Sequence, residues 1–269
     1  MEEGRYSRLP RIFAALGACW LLLAGVSLAQ QADDTRPQTE NESSIQKRVN
    51  ASARVLDEIM GVKEKAIPDK IMSDAKCVAV IPSMVRIAVG FGGEHGKGVA
   101  TCRLANGSWS SPAPVTITGG SWGLQLGGQA VDLVLVVMNK HGMDQLLADK
   151  FKIGANATAA AGPIGRDAGA DTDWKMKTEM LTYSRARGVF AGVDLSGSVI
   201  TQDKDETRVL YGKFVPFSTI LSGRIKPAPG ESDSSFEAAV RKYSEQARGR
   251  EHEHGELQKP SAGTQTASR

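Results

Sequence analysis

Between Cys77 and Asn139 the apolar residues recur with a period of two, and glycine or proline breaks the runs. Side chains alternate faces along a strand, so this pattern excludes a helical middle and demands a sheet. The segments CVAVIP, VRIAVGF, GVATCRL and PVTITGG read as successive short strands. The glycine-rich stretch GFGGEHGKG, 90–98, reads as a hairpin turn, and Asn106-Gly107 as a second turn. WGLQLGG and VDLVLVVMN continue the series; the latter is apolar on both faces and predicts a central, covered strand. MDQLLADKF, 143–151, predicts a short helix after Gly142. WKMKTEM alternates again as a half-buried strand, RARG turns the chain, and VFAGVDLSGSVI returns as its partner. Glycine supplies 29 of 269 residues, above the usual share of about 7 per cent, which suits strands broken by bulges and tight turns. The expected fold class is α+β: a bent antiparallel β-sheet or barrel-like sandwich with short covering helices.

Helical periods flank this middle. Ser43 followed by Gln46 has capping-box spacing, and Ile45, Val49, Ala53, Leu56 and Ile59 then mark one face of a helix that Gly61 stops. A second short helix is expected from Pro68 to about Lys76. Lys47, Arg48 and Arg54 lie on the first helix, with Lys63, Lys65 and Lys70 beyond it. A basic amphipathic helix can lie on an anionic membrane. Equally, it can dock on its own domain with a solvated charged face, since Asp57, Glu58 and Glu64 dilute the positive charge. After Ile225, PAPGESDSS reads as a linker, and Ser234 with Glu237 opens a marginal or docking helix carrying Phe236, Val240 and Tyr243 on one face. The last twenty residues are polar and expected to be disordered.

The N-terminus sets the compartment. Arg5, Arg8 and Arg11 precede the apolar run IFAALGACWLLLAGVSLA, with small residues Ser27 and Ala29 before Gln30. These are the three parts of a secretory signal peptide; a retained anchor is the alternative, the run being near the length of a span. The expected organisation is a signal peptide over 1–29, a disordered linker over 30–43, one domain over 44–225, and a linker, short helix and tail over 226–269. Localisation follows: exported, periplasmic or secreted, with membrane association open. Cys77 and Cys102 fall within that domain; an exported compartment permits a disulfide between them, and two buried thiols are the other reading. Net charge is +3, too small a field for a nucleic-acid partner.

No catalytic constellation assembles. A phosphate-binding loop ending at Gly96-Lys97 would need glycine where Phe91 stands and Ser or Thr where Gly98 stands. No Gly-x-Ser-x-Gly elbow is present, and Ser184 has no neighbouring base in sequence. Asp167, Asp171 and Asp173 lack the terminal Glu of a calcium loop. His-Glu-His at 252–254 lies in the polar tail. The expectation is a non-enzyme with no cofactor and no metal.

The stretch IGANATAAAGPIGRDAGADTDW followed by YSRARGVFAGVDLSGSVI resembles the signature of the SYLF domain, a lipid-binding domain also found in yeast and animal proteins of the cortical actin patch. AKCVAVIP, VGFGGEHGKGVATCR, GSWSSPAPVTITGGSWGLQLGGQAVDLVLVVMN and LYGKF at 210–214 agree, so the resemblance covers about 44–214. Two departures stand out. The family's Gly-Ala-Asp-Ala-Ser is Gly154-Ala155-Asn156-Ala157-Thr158 here, which removes a carboxylate, and Ala186 and Asp194 stand where Ser is usual. The structural motif falls on Gly154, Gly162, Pro163 and Gly165, then Tyr183, Ser184, Gly188, Phe190 and Gly192. The resemblance implies binding of anionic lipid or phosphoinositide-like headgroups through the N-terminal helix, so Lys47, Arg48, Arg54, Lys63 and Lys65 are the candidate lipid contacts. Arg166 joins them as a planar fork for phosphate, or else is a structural arginine paired with Asp167 or Asp171. The expected partner is anionic membrane lipid, with an unidentified envelope protein as the alternative. The actin role of the family does not transfer to an exported chain.

Overall fold

The structure, a computed structural model, describes residues 43–148, 150–165, 178–186, 189–191, 195–227 and 235–257, with the backbone alone at 88–91, 121–126, 189–191 and 254–257. The signal segment, the linker up to residue 42, Arg166, the three loop aspartates, Gly188, Gly192, Asp194, Ser234 and the tail beyond 257 lie outside the described residues. Residues 42–269 form one compact unit by their internal contacts.

Helix α1, Ser44–Met60, starts as its sequence requires: the Ser43 side chain accepts from the Gln46 N–H at 3.2 Å. One short 3₁₀ turn, Lys63–Lys65, leads to α2, Asp69–Asp74, with Pro68 at its N-cap. The sheet then begins with two very long strands, β1, Cys77–Cys102, and β2, Ala113–Val137, paired antiparallel almost end to end. Here the expectation of several short strands is corrected. GFGGEHGKG is not a hairpin turn but the second half of β1, with Glu94 opposite Gly119 and Gly96 opposite Ile117. The reversal comes at Asn106-Gly107, where Gly107 has φ 84° and its N–H donates to the Leu104 carbonyl.

The glycines serve curvature. Register shifts at Ile81/Met84, which contains Pro82, and at Val89/Phe91 bend the ribbon. It curls until Arg103 N–H reaches the Lys76 carbonyl at 2.7 Å, and Cys77 and Cys102 are joined in a disulfide with their Cα atoms 4.0 Å apart. Gly98 lies where β1 comes back against its own beginning; a Cβ there would overlap the Val80 carbonyl oxygen. A side chain at this point would force the ribbon open.

β2 is the centre of the sheet, as its apolar run predicts: Leu133, Val134, Leu135, Val136 and Val137 are buried between β1 and β5, Met180–Ala186. The first half of β2 pairs with β7, Val199–Gln202, whose other neighbour is β3, Lys150–Lys152. β4, Ala159–Ala161, runs parallel to β5, and β6, Val189–Ala191, returns antiparallel to it; the single partner strand expected over VFAGVDLSGSVI is corrected, because its end at Val199 and Ile200 belongs to β7 against β2 and β3. Seven strands thus form one curled sheet among the described residues, mixed rather than purely antiparallel because of β4. The α+β class holds.

The helices differ in detail from expectation. α3, Lys140–Leu147, starts earlier than expected because the Asn139 side chain accepts from the Gly142 N–H, and Phe151 belongs instead to β3, opposite Ile200. The strand expected over WKMKTEM lies largely outside the described residues, and β5 begins at Met180. Two helices had not been read from the sequence: α4, Lys204–Tyr211, capped by Asp203 and ended by Gly212, and α5, Phe217–Leu221. The last, α6, Ser235–Leu257, docks on α1 and α2 through buried Phe236, Val240 and Ala247.

Candidate functional site

The apolar stripe of α1 faces inward. Ile45, Val49, Leu56, Ile59 and Met60 are buried to within 1 % against β1 and α6. Burial of such side chains contributes about 2 kcal/mol each, on the order of 10 kcal/mol for the five. That is comparable to the whole stability of a domain. Folded α1 therefore offers a membrane its charged face, not its apolar one.

Polar contacts fix the same orientation. Arg185 of β5 pairs with Asp132 at 2.7 Å and with Glu58 of α1. Asp57 accepts from the Tyr243 hydroxyl at 2.6 Å and from Lys242 at 3.2 Å, both on α6. Glu206 of α4 accepts from Ser44 at 3.1 Å and pairs with Arg48 at 3.1 Å. Lys97 completes this cluster, 2.7 Å from Asp203 and 3.9 Å from Glu206. The lysine of the glycine-rich stretch is thus a clamp between β1 and α4. Burial pushes the Asp203 carboxyl up, but the hydrogen bond and charge of Lys97, the Glu206 N–H and the Thr116 hydroxyl outweigh it and hold it below its ordinary value.

The candidate lipid contacts separate on this frame. Lys47 and Arg54, seven residues apart on one stripe of α1, are exposed. Arg48 is half-buried and directed to Glu206, away from that stripe. Lys63 and Lys65 are exposed on the 3₁₀ turn beside Val62, which is 41 % exposed. The Gly165 N–H donates to the Ala66 carbonyl at 2.9 Å, so the glycine-rich stretch is seated against this same turn, with Ile164 48 % exposed. Arg166 follows outside the described residues.

The motif residues answer to backbone and space. Gly154 and Gly165 have φ of 85° and 105°, closed to most side chains. Gly162 is required for another reason: a Cβ there would overlap the Tyr183 ring. Tyr183 is 2 % exposed, its hydroxyl has no hydrogen-bond partner among the described residues, and burial pushes its phenol pKa up. Asn156 closes a turn by accepting from the Lys152 N–H at 2.8 Å. Ser184 is buried within β5 opposite Leu133, and Phe190 sits in β6 opposite Arg185. Among the described residues no group of three or more His, Cys, Asp or Glu side chains could hold a metal, and no helix is long and apolar enough to cross a membrane.

One surface had no reading in the sequence. On α4 the outward residues are Lys204, Asp205, Arg208 and Val209, and the turn after it exposes Lys213 and Phe214. Asp203 and Glu206 in N-cap and N3 spacing, with Gly212 behind, were the signal for this helix.

Comparison with known proteins agrees with this architecture. Residues 118–241 match the family model Ysc84, described as Las17-binding protein actin regulator. The SH3 domain-containing protein PJ696.02 of Schizosaccharomyces pombe is 29 % identical over 198 residues, 70 % of this chain and 46 % of its own length. The SH3 domain-containing YSC84-like protein 1 of Homo sapiens is 27 % identical over 201 residues, 72 % of this chain and 58 % of its own. LAS seventeen-binding protein 3 of Saccharomyces cerevisiae is 29 % identical over 195 residues, 69 % of this chain and 42 % of its own. The chain spans about half the length of these relatives. The family-model match and these relatives together support membership of the SYLF (Ysc84) family, the domain that the sequence resembles.

Proposed function

We propose that the chain is a non-catalytic module that binds anionic lipid, with phosphoinositide-like headgroups among the candidates, through the outward face of α1 and the turn that follows it. The observation that carries this reading is the exposure of Lys47 and Arg54 on α1 and of Lys63 and Lys65 on the turn after it, while the apolar side of the helix is already buried. Contact is then electrostatic, about 1 kcal/mol per basic residue near an anionic surface. Val62 and Ile164 beside the two turn lysines add exposed apolar area. Export to the envelope belongs to the same reading; it is supported by the basic and apolar N-terminal segment and by the Cys77–Cys102 disulfide, which suits an oxidising compartment.

The test neutralises Lys47, Arg54, Lys63 and Lys65 to Ala together and measures sedimentation with phosphatidylglycerol-containing vesicles. Binding is expected to weaken on the order of a thousandfold; unchanged binding would remove this face from the mechanism. A second reading, an envelope protein-interaction module, is favoured by the docked apolar face of α1. It gains if the protein ignores vesicles of every charge and retains a protein partner. The actin regulation in the family's description belongs to its named members.

A further inference from the structure

A charged helix face alone gives a weak, salt-labile hold on a membrane, and the buried stripe of α1 cannot supply the apolar anchor. The corner between α4 and α5 has the chemistry that α1 lacks. Phe214 is 38 % exposed in the turn after Gly212, and Val209 on the last turn of α4 is 49 % exposed. Lys204 lies 5.5 Å and Arg208 5.9 Å from the Phe214 ring centroid, and Lys213 is exposed next to it in sequence. Asp205 is the acidic residue on this outward face, and its carboxylate is 2.7 Å from Arg208. An aromatic ring ringed by cations with flexible apolar stems matches the water–bilayer interface, where the ring enters and the charges stay at headgroup level.

The corner is rigidly tied to the face already described. Glu206, on the inner side of α4, holds Ser44 and Arg48 in the first turns of α1, and Lys97 locks Asp203 and Glu206 to the sheet. Lys47 and the basic edge of α4 are therefore carried on adjoining first turns of two clamped helices. We infer that the α4–α5 corner is a second contact with the anionic lipid surface, in which Phe214 is the apolar anchor and Lys204, Arg208 and Lys213 its headgroup contacts. This rests on the lipid-binding reading above and adds to it the anchor that reading is missing.

The test uses protein lacking residues 1–29, which leaves the compact unit 42–269 entire. Vesicles of phosphatidylcholine are compared with vesicles containing about one third phosphatidylglycerol, at low and high salt. Phe214→Ser is expected to weaken binding to the anionic vesicles about tenfold and to abolish what remains at high salt. Phe214→Trp is expected to restore it, and both variants should melt as the parent does, the side chain being exposed. Phe214→Ser binding like the parent would overturn the inference while leaving the α1 face standing. Loss with Phe214→Ser but not with Lys47→Ala/Arg54→Ala would support the corner and sink the α1 face. A parent that binds no vesicle would overturn both.

Discussion

Single residues carry the curl of this sheet, and two glycines show it by different physics. At Gly98 the backbone is ordinary but the space is filled by the Val80 carbonyl; at Gly107 the space is open but φ is 84°. Gly98→Ala is expected to cost more than 3 kcal/mol, roughly the upper end for overpacking. Gly107→Ala should cost about 1 kcal/mol for a left-handed backbone. Urea unfolding of both variants checks this, and equal costs would contradict the closure of β1 on itself. Asp203 gives a pH signature. Its carboxyl is held below the ordinary 3.8, so its contribution to stability is complete above that value and is lost as pH falls through the lower folded one. The stability gap between the parent and Asp203→Asn should be flat above about pH 5 and close as acid is added. A gap indifferent to acid would mean that Lys97 and Asp203 are not paired in solution.

At the scale of elements, what was legible in the sequence was local. The apolar run at 131–137 could only be a covered strand, and Asn106-Gly107 could only be a turn. The glycine-rich 90–98 misled because reversal and curvature call for the same residue type. Only the return of β1 onto Val80 and Ile81 distinguishes them, and that contact is long-range. Likewise the period of α1 is the same whether its stripe meets a bilayer or a core. The decision lies in the docking of Phe236 and Val240 of α6 and in the ion pairs to α4 and β5, and the period of α1 reveals none of these partners. The cysteines were open between bridge and thiols until the curl brought the two ends of β1 together. With 25 residues of separation, Cys77→Ser/Cys102→Ser is expected to lose about 3 kcal/mol. Unfolding midpoints that coincide for the parent and the double variant would contradict a closed ribbon held at its ends.

The unit from residue 42 onward is a sheet curled on itself with α1 against it and α6 laid over α1 and α2, presenting basic residues on α1, on α4 and on the turns after them. On the proposed function, this unit meets an anionic surface without unpacking α1. Its long-range attraction should therefore be coulombic, with the apolar hold limited to the few exposed side chains at the turn and the α4–α5 corner. The most direct measurement is sedimentation of the protein lacking residues 1–29 with neutral and phosphatidylglycerol-containing vesicles across a salt series. The expected result is binding to the anionic vesicles alone, falling steeply as salt rises. Equal binding to both vesicle types, insensitive to salt, would mean that the buried stripe of α1 leaves its seat to insert, and would contradict the account.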